Sequence, residues 1–364
     1  MKVKKQLLSL KAYDPGKPMS EVKKEYGLPK IVNLASNENP FGCSQSVSDA
    51  LNSFSHYSRY PEGNAPLLRE KVADRLGVKQ KQLLFSTGLD EMIQMISRAL
   101  LSPKTNVVMA SMTFPQFRHH AVIEQAEIRQ VPLIDGRHDL EGMQQVVDEQ
   151  TSIVWICNPN NPTGTYVNET ELSNFMEHIP KDTLVALDEA YYEYVTANDY
   201  PDTLKLMNDY ENLLVLRTFS KAYGLAAFRV GYAIGHEALI EKLDIARLPF
   251  NTSSLGQIAA QAAIADEEFI QMSSYVNKMC LQQFYAFCNE YKVDYYPSQG
   301  NFIYIKLKKS VDEVFQYLME RGYIVRPMKD GIRVTVGTEE DNEGLISLLK
   351  QMFIEDASRL RLLS

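Results

Sequence analysis

The sequence has little of what usually indicates a metal site, a membrane protein or a nucleic-acid partner. Only four cysteines occur in 364 residues, Cys43, Cys157, Cys280 and Cys288, with no CxxC pair and no metal-ligand spacing. We therefore predict free thiols in a reducing, cytoplasmic compartment, and no metal. No run of about 18 apolar residues is present, and the basic N-terminal segment lacks the apolar core of a signal peptide. The net charge of -8, with lysine and arginine spread along the chain, argues against nucleic acid or an anionic membrane as the main partner.

What the sequence does contain is an alternation of short apolar runs and helical stretches. The runs are rich in Val, Ile and Leu without polar alternation, which is typical of strands buried on both faces. They are "QLLFS" (82–86), "TNVVMA" (105–110), "SIVWIC" (152–157), "TLVALDEA" (183–190), "NLLVLRTFS" (212–220) and "VGYAI" (230–234). The pattern predicts an α/β fold in which a mostly parallel sheet is covered by helices on both faces.

The last part of the chain shows a different order of elements. After a helical region near 255–290, "NFIYIKL" (301–307), "VDEVFQYLMERGY" (311–323) and "GIRVTVG" (331–337) indicate strand, helix and strand. We expect a smaller α+β domain here, because the chain is longer than one average domain. The predicted boundaries are 30–275 for the large domain, and 1–29 with 276–364 for a small domain that completes a shared cleft.

Polar residues follow four of the apolar runs, where the strands should end. "NPNNPTG" (158–164) and "TGLDE" (87–91) each follow a run, while "DEAYYEY" (188–194) and "TFSKAYG" (218–224) begin where two others end. In an open α/β sheet, ligands bind outside the carboxyl ends of the strands. The four segments therefore predict one site that contains an amide, a carboxylate, a tyrosine, a lysine, hydroxyl groups and a glycine turn.

The segment "STGLDEMI" (86–93) has two interpretations. Thr87 and Asp90 have the spacing of a capping box, followed by an amphipathic helix. Alternatively, a phosphate is bound by the free amides of Gly88, Leu89 and Asp90 at the positive end of that helix.

The segment "TFSKAYGLAAFR" (218–229) is equally open. It is either a polar turn with a solvated lysine, or a site where Thr218, Ser220 and Arg229 bind an anion. In the second case Lys221 is an amine held in a cleft to form a covalent bond with a carbonyl group.

Three further residues have a structural and a functional interpretation. Asp188 ends a strand buried on both faces, so its carboxylate needs a partner: a pyridinium N–H, or else a helix N-cap or an ion pair. Asn161 is part of a turn or donates to a ligand oxygen. Tyr191 packs in the core or donates to the same oxygen.

Together, "NPNNPTG", "DEAYYEY" and "TFSKAYGLAAFRVG" resemble the class I/II aminotransferases, which use pyridoxal 5'-phosphate and have the type I fold. "KAYDPGKP" (11–18), "LASNENPFG" (34–42), "RYPEG" (59–63) and "IRVTVGT" (332–338) narrow the resemblance to the histidinol-phosphate aminotransferases, from end to end. The resemblance implies a ping-pong transfer of an amino group between L-histidinol phosphate and 2-oxoglutarate.

The resemblance also implies a role for each residue. Lys221 would bind the cofactor covalently and later carry a proton, Asp188 would pair with the ring nitrogen, and Tyr191 with Asn161 would hydrogen-bond the ring oxygen. The residues that would hold the cofactor phosphate are Gly88, Leu89, Asp90, Thr218, Ser220 and Arg229. Phe114 would stack on the ring, at a position where the family often has a tyrosine.

The remaining roles concern the substrate and a second subunit. Tyr60 would reach the phosphate of the neighbouring subunit, which implies a homodimer. The residues that would bind the substrate phosphate or carboxylate are Tyr13, Asn39, Arg326 and Arg333. Two other activities fit the same cofactor contacts: an aromatic amino-acid aminotransferase, and a decarboxylase for phosphorylated amino acids.

Overall fold

The computed structural model describes residues 2–12 and 16–362, with side chains as far as residue 354, so Tyr13 lies outside the described residues. The helices are α1 (Met19–Tyr26), α2 (Gln45–Asn52), α3 (Pro66–Leu76), α4 (Gly88–Leu100), α5 (Pro115–Ile123), α6 (Leu140–Gln145), α7 (Glu169–His178), α8 (Thr203–Leu206), α9 (Glu237–Asp244), α10 (Ser254–Ala263), α11 (Glu267–Tyr291), α12 (Val311–Met319) and α13 (Glu339–Leu362). The strands are β1 (Val32–Asn33), β2 (Leu83–Ser86), β3 (Asn106–Ala110), β4 (Glu127–Val131), β5 (Thr151–Cys157), β6 (Leu184–Asp188), β7 (Leu213–Thr218), β8 (Gly231–Ile234), β9 (Tyr295–Tyr296), β10 (Phe302–Lys306), β11 (Tyr323–Ile324), β12 (Arg326–Pro327) and β13 (Gly331–Thr335).

A seven-stranded sheet, in the order β2-β8-β7-β6-β5-β3-β4, forms the centre of the molecule. The pairs from β7 to β4 are parallel, whereas β8 runs antiparallel to both of its neighbours. The sheet is therefore mostly parallel, as the sequence predicted.

Both faces of this sheet are buried under helices. Leu213 and Val215 of β7 lie in one hydrophobic cluster, and Leu214 and Leu216 lie in another, because successive side chains of a strand point to opposite faces. All four are fully buried, and each contributes about 1.5–3 kcal/mol of hydrophobic free energy. Among the described helices, none is both long and apolar enough to cross a membrane.

A second, antiparallel sheet has the order β12-β13-β10-β9 and packs against α11 and α13 around its own hydrophobic cluster. Val32 and Leu34 belong to this cluster, and β1 pairs in parallel with β11. A segment near the start of the chain thus joins the elements near its end. The predicted boundaries at 29/30 and 275/276 stay a prediction.

Each of the six apolar runs between residues 82 and 234 coincides with a strand of the large sheet, and the strands predicted in 301–307 and 331–337 are β10 and β13 of the second sheet. β4 was not predicted, because its sequence "EIRQV" is polar. It lies at the edge of the sheet, pairs only with β3 and is partly exposed, so its side chains need not be apolar.

Of the two interpretations of "STGLDEMI", the capping box formed by Thr87 and Asp90 is wrong. The Thr87 hydroxyl donates instead to the Asn251 backbone carbonyl, and the Thr87 backbone N–H donates to the Glu91 carboxylate. The side chain of Glu91 reaches back one turn and takes the place that the box assigned to Asp90. The first residues of α4 consequently have no side-chain cap.

Candidate active site

A cavity of about 420 Å³ lies at the carboxyl edge of the large sheet and is closed on one side by the four-stranded sheet. Most of the predicted site residues line it: Leu89, Asp90, Phe114, Asn161, Asp188, Tyr191, Thr218, Ser220, Lys221, Arg229, Arg326 and Arg333. A wider surface cleft of about 510 Å³, between Ile134 and His178, has no lysine among its described lining residues. The smaller cavity is therefore the candidate active site.

The sheet topology explains why these side chains meet. Asp188 is the last residue of β6, Thr218 is the last residue of β7, and Asn161 follows β5. Parallel neighbouring strands end at the same edge, so the three segments lie side by side. The opposite wall comes from β12 and β13, which carry Arg326 and Arg333.

The amine of Lys221 is held inside this cavity. Its Nζ donates to the Ser36 carbonyl at 3.1 Å and lies 5.8 Å from the centre of the Tyr191 ring. Burial, followed by the positive charge of Arg333, lowers the pKa of Lys221 from its usual 10.5 to about 8. Near neutral pH, a much larger fraction of this amine is therefore uncharged than of an ordinary lysine.

We expect the lowered pKa of Lys221 to be visible in the cofactor-free protein. Because only the neutral amine is nucleophilic, labelling by an amine-specific acylating reagent should rise with pH and reach half its plateau at about pH 8. The measurement is mass spectrometry of the peptide that contains Lys221, after brief labelling at each pH.

The Arg333→Met variant serves as the control for this titration. Removing the guanidinium charge should shift the midpoint of Lys221 labelling upward. A midpoint near 10.5 in the wild-type chain would show that the cavity does not perturb this amine.

Asp188 forms the buried acidic group of the site. It is 3% exposed, and its Oδ1 accepts a hydrogen bond from the Ala190 backbone N–H at 3.0 Å. Burial raises its pKa from 3.8 to about 7, while the charge of Lys221 acts in the opposite direction. A cationic N–H placed in the cavity would return this carboxyl to its ionised form.

Tyr191 is oriented by two asparagine side chains. Its hydroxyl accepts from Asn161 Nδ2 at 3.2 Å and from Asn37 Nδ2 at 2.9 Å. Arg333 Nη1 donates to Asn161 Oδ1 at 2.7 Å, and Thr335 Oγ1 donates to Asn37 Oδ1 at 2.9 Å. Asn37 was not predicted as a site residue, although it lies within "LASNENPFG", because its contact with Tyr191 spans 154 positions of the chain.

A candidate anion site lies at the start of α4. Ser220 N–H donates to Thr218 Oγ1 at 3.1 Å, Arg229 Nη1 lies 3.4 Å from Ser220 Oγ, and Arg229 Nη2 lies 3.7 Å from Asp90 Oδ2. Gly88 has a φ of +71°, and a Cβ there would lie 2.5 Å from Arg229 Nη2. Glycine therefore leaves room for the guanidinium group beside the uncapped end of α4. A helix N-terminus next to an arginine is an arrangement that suits a phosphate.

Arg326 and Arg333 lie opposite each other in the ladder between β12 and β13, and both line the cavity. Arg333 is fixed further by a hydrogen bond from its Nη2 to the Ala35 carbonyl. Two guanidinium groups on one wall provide a second anion-binding region, apart from the one at Arg229.

Three predicted residues within the described part of the chain do not line the cavity: Gly88, at the start of α4, Tyr60 and Asn39. Tyr60 is 82% exposed and stacks on Phe250 with ring centres 4.8 Å apart. Asn39 is buried, and its amide donates to the Ala222 carbonyl at 2.8 Å and to Ser273 Oγ at 3.2 Å. The ligand contacts predicted for Tyr60, Asn39 and Tyr13 stay predictions.

Other lining residues were not singled out from the sequence. Among them are Ser36, Thr113 and Met328; Cys157, which the sequence predicts to be a structural thiol at a strand end near the cleft, also lines the cavity. Burial raises the pKa of the Cys157 thiol well above its usual 9.0, so this group is a protonated thiol and not a nucleophile. No local sequence pattern marks the other three.

The chemistry of this lining fits a flat, phosphorylated aldehyde. An amine of lowered pKa is available for a carbonyl carbon, and a buried carboxyl group can face a ring nitrogen. Phe114 provides an apolar face, Tyr191 can donate to a ring oxygen, and the group around Arg229 fits a phosphate. The arrangement has the parts needed for covalent catalysis on an amino compound.

Comparisons with known proteins agree with this arrangement. The family model "Aminotransferase class I and II" matches residues 29–349. The chain is 60% identical to histidinol-phosphate aminotransferase 1 of Bacillus thuringiensis subsp. konkukian over 99% of both chains. It is 58% identical to the histidinol-phosphate aminotransferase of Geobacillus sp. (strain WCH70), over 98% of this chain and 99% of that one. A solved structure of histidinol-phosphate aminotransferase from Sinorhizobium meliloti, in complex with pyridoxal-5'-phosphate, has a TM-score of 0.88 and 25% identity, over 97% of this chain and 98% of that one. The chain therefore belongs to the aminotransferase class I and II family, in the group of the histidinol-phosphate aminotransferases, as its sequence motifs predicted.

Proposed function

We propose that this protein is a pyridoxal-phosphate-dependent aminotransferase that moves an amino group between L-histidinol phosphate and 2-oxoglutarate by a ping-pong mechanism. One observation carries the proposal: a single cavity joins the Lys221 amine, the Asp188 carboxyl group and two separate anion-binding regions. One region suits a cofactor phosphate and the other a substrate anion. The choice of L-histidinol phosphate as the amino donor is supported by the two relatives, which are both histidinol-phosphate aminotransferases.

The lining of the cavity supports a set of residues that would hold the cofactor. The groups that would bind its phosphate are Gly88, Leu89, Asp90, Thr218, Ser220 and Arg229. Asp188 would pair with the ring nitrogen, Tyr191 and Asn161 would hydrogen-bond the ring oxygen, and Phe114 would stack on the ring. Pyridoxal phosphate, when bound, supplies an aldehyde carbon for the attack of an amine and a ring that accepts the electrons of a broken Cα–H bond.

The protein's own part in the reaction is mainly proton transfer. With the cofactor bound, the neutral Lys221 amine would be the group that takes the proton from the substrate Cα and delivers it to the aldehyde carbon of the cofactor. Asp188 keeps the proton on the ring nitrogen. Tyr191, oriented by Asn161 and Asn37, donates to the ring oxygen and so fixes the ring relative to Lys221.

The ping-pong order requires one site to bind two different substrates in turn. Arg326 and Arg333 face each other on adjacent strands and can form charge-assisted bonds with a phosphate or with a carboxylate. The donor phosphate and the distal carboxylate of 2-oxoglutarate therefore occupy the same wall of the cavity in successive half-reactions.

The experiment that tests this proposal is a half-reaction followed by absorbance. After the protein is loaded with pyridoxal phosphate, L-histidinol phosphate without a keto acid should convert the cofactor once to its pyridoxamine form. Added 2-oxoglutarate should restore the original band. Faster conversion by phenylalanine or tyrosine would indicate an aromatic aminotransferase, and carbon dioxide release from O-phosphothreonine would indicate a decarboxylase.

Substitution of Arg326 tests whether the enzyme distinguishes a phosphorylated amino donor from one without a phosphate. Arg326→Met should lower kcat/KM for L-histidinol phosphate by about 10–100-fold, because charge-assisted bonds to the phosphate are lost. The loss for phenylalanine should be much smaller. Lys329→Met removes a cation from the exposed turn that follows β12, without changing the cavity lining, and should have no effect. Equal losses for both donors in Arg326→Met would contradict the proposed phosphate contact.

We also propose that the protein acts as a homodimer. Tyr57 is 74% exposed, Tyr60 82% and Phe250 48%, and the rings of Tyr60 and Phe250 stack. An exposed group of large aromatic side chains is typical of a surface that another chain covers. In this arrangement, Tyr60 contacts the cofactor phosphate of the partner subunit.

A reducing, cytoplasmic setting is the last part of the proposal. All four cysteines are unpaired, and three of them are buried. Buried thiols without a disulfide partner are usual in proteins of a reducing compartment.

A further inference from the structure

A buried ion pair lies directly behind the candidate site. Glu189 follows Asp188, and Arg217 precedes Thr218. Since neighbouring residues of a strand point to opposite faces, Glu189 and Arg217 lie on the side of the sheet away from the cavity. Glu189 is 0% exposed and Arg217 is 3% exposed, and neither lines the cavity.

The ion pair and the Tyr200 hydroxyl together connect the ends of three strands, β5, β6 and β7. Arg217 Nε and Nη2 lie 2.9 and 2.8 Å from Glu189 Oε2, which joins the end of β7 to the end of β6. The Tyr200 hydroxyl lies 3.1 Å from Glu189 Oε1 and 2.5 Å from the carbonyl oxygen of Asn158, the residue that follows β5. The guanidinium carbon of Arg217 lies 3.5 Å from the centre of the Tyr192 ring, so this ring covers one face of the guanidinium group.

We propose that Glu189 and Arg217, together with the Tyr200 hydroxyl, are positioning residues that fix the spacing of the reacting groups on the other side of the sheet. This inference rests on the proposed function. We call these three residues the clamp.

Each reacting group lies a short distance along the chain from a clamped residue. Asp188 is adjacent to Glu189, Lys221 is four positions after Arg217, and Asn161 is three positions after Asn158. A shift of one strand end relative to another would therefore move the carboxylate, the amine or the amide relative to the cofactor. A displacement of about 1 Å at a reacting group can cost about 10²-fold in rate.

The choice of charged residues supports a positioning role over a purely stabilising one. A buried ion pair is weak evidence for stability, because well-packed apolar residues of similar volume are often equally stable. Hydrogen bonds from a planar guanidinium, by contrast, fix direction as well as distance. Arg217 also balances the charge of Glu189, which by itself raises the pKa of the adjacent Asp188.

Glu193 provides a matched control within the same buried cluster. It lines a cavity of about 230 Å³ together with Arg217 and Tyr192. Its Oε2 is buried and has no hydrogen-bond partner among the described residues. Glu193 is thus a half-buried carboxyl group close to Arg217 that lacks the connections between strand ends made by the fully buried Glu189.

The test compares Glu189→Gln, Tyr200→Phe and Glu193→Gln in the full-length protein. Cofactor-free protein is titrated with pyridoxal phosphate and followed by absorbance, without any substrate, and kcat and KM are then measured with L-histidinol phosphate. Glu189→Gln should lower kcat by about 10²-fold and raise the Kd for pyridoxal phosphate, with the donor KM within about threefold of wild type. Tyr200→Phe, which removes one hydroxyl, should lower kcat and raise the Kd for pyridoxal phosphate, each by about 10-fold. Glu193→Gln should match the wild type.

Wild-type kcat and cofactor affinity in both clamp variants would overturn the inference. So would a loss in Glu193→Gln as large as that in Glu189→Gln, since the cluster would then be merely structural. If Glu189→Gln does not fold, the single-hydroxyl variant Tyr200→Phe decides in the same way. If the wild type fails to turn over L-histidinol phosphate, the proposed function fails, while the cofactor titration still tests the clamp independently of any substrate.

Discussion

Replacing Lys221 with alanine should lower kcat for amino transfer by about 10⁴-fold, because both the nucleophilic amine and the proton carrier are removed. The variant should still bind pyridoxal phosphate, since the anion site around Arg229 and the Asp188 carboxyl group remain. The bound cofactor should show the absorbance of a free aldehyde and should be lost on dialysis, whereas the wild-type cofactor should be retained. The measurements are steady-state kcat and cofactor content after dialysis.

Two variants control for the effect of charge. Lys221→Arg keeps a cation in the cavity but has no amine that reacts with an aldehyde, so it should be as inactive as the alanine variant. Lys104→Ala removes an exposed lysine from a turn and should leave kcat unchanged. Activity of Lys221→Ala within about tenfold of wild type would show that another group carries out the proton transfer.

Replacing Asp188 with asparagine should lower kcat by about 10²–10³-fold, the usual cost of removing one preorganised electrostatic group. Asparagine has the same size but cannot hold a proton on the ring nitrogen by its charge. The exposed Asp182→Asn, in the turn before the same strand, is the control and should behave as wild type. An Asp188→Asn variant with near-normal kcat would remove the carboxyl group from the proposed mechanism.

Asp188→Asn should, in contrast to its effect on kcat, increase the stability of the cofactor-free protein at pH 8. Burial raises the pKa of Asp188 from 3.8 to about 7, so folding is favoured while this carboxyl group is protonated. That contribution is complete below pH 3.8 and is lost as the pH rises through about 7. At pH 8 the asparagine variant should therefore be more stable to urea by an amount on the order of 1–4 kcal/mol. A lower stability at pH 8 would show that the carboxylate has a cationic partner even without cofactor.

Much of the site could be predicted because its chemistry follows the strand ends. Asp188, Thr218 and Lys221 lie at or just beyond apolar runs, and buried parallel strands leave an apolar signal in the sequence. The edge strand β4 leaves no such signal, since one of its sides has no neighbouring strand. The direction of β8 was not specified either, because the run "VGYAI" is equally apolar in a parallel or an antiparallel pair.

Contacts between distant segments limit what sequence patterns can predict. Asn37 reaches Tyr191 across 154 positions, and nothing local distinguishes it from the other asparagines of its segment. The capping box at Thr87 failed for a similar reason, since the Asn251 carbonyl competes for the hydroxyl from 164 positions away. Local spacing thus identified the residue types of the site, whereas long-range hydrogen bonds decided how some of them are used.

The long-range contacts have a consequence for biosynthesis. The last strand of the large sheet ends at Ile234, before any strand of the four-stranded sheet has been translated. The hydrogen bonds that orient Tyr191 depend on Arg333 and Thr335, which pair with residues as far as 298 positions earlier. Chains are synthesised at about 5–20 residues per second, and early segments begin to fold before later ones emerge. A nascent chain can therefore build its large sheet first, whereas Tyr191 of the candidate site is fully oriented only after the ribosome has passed Thr335.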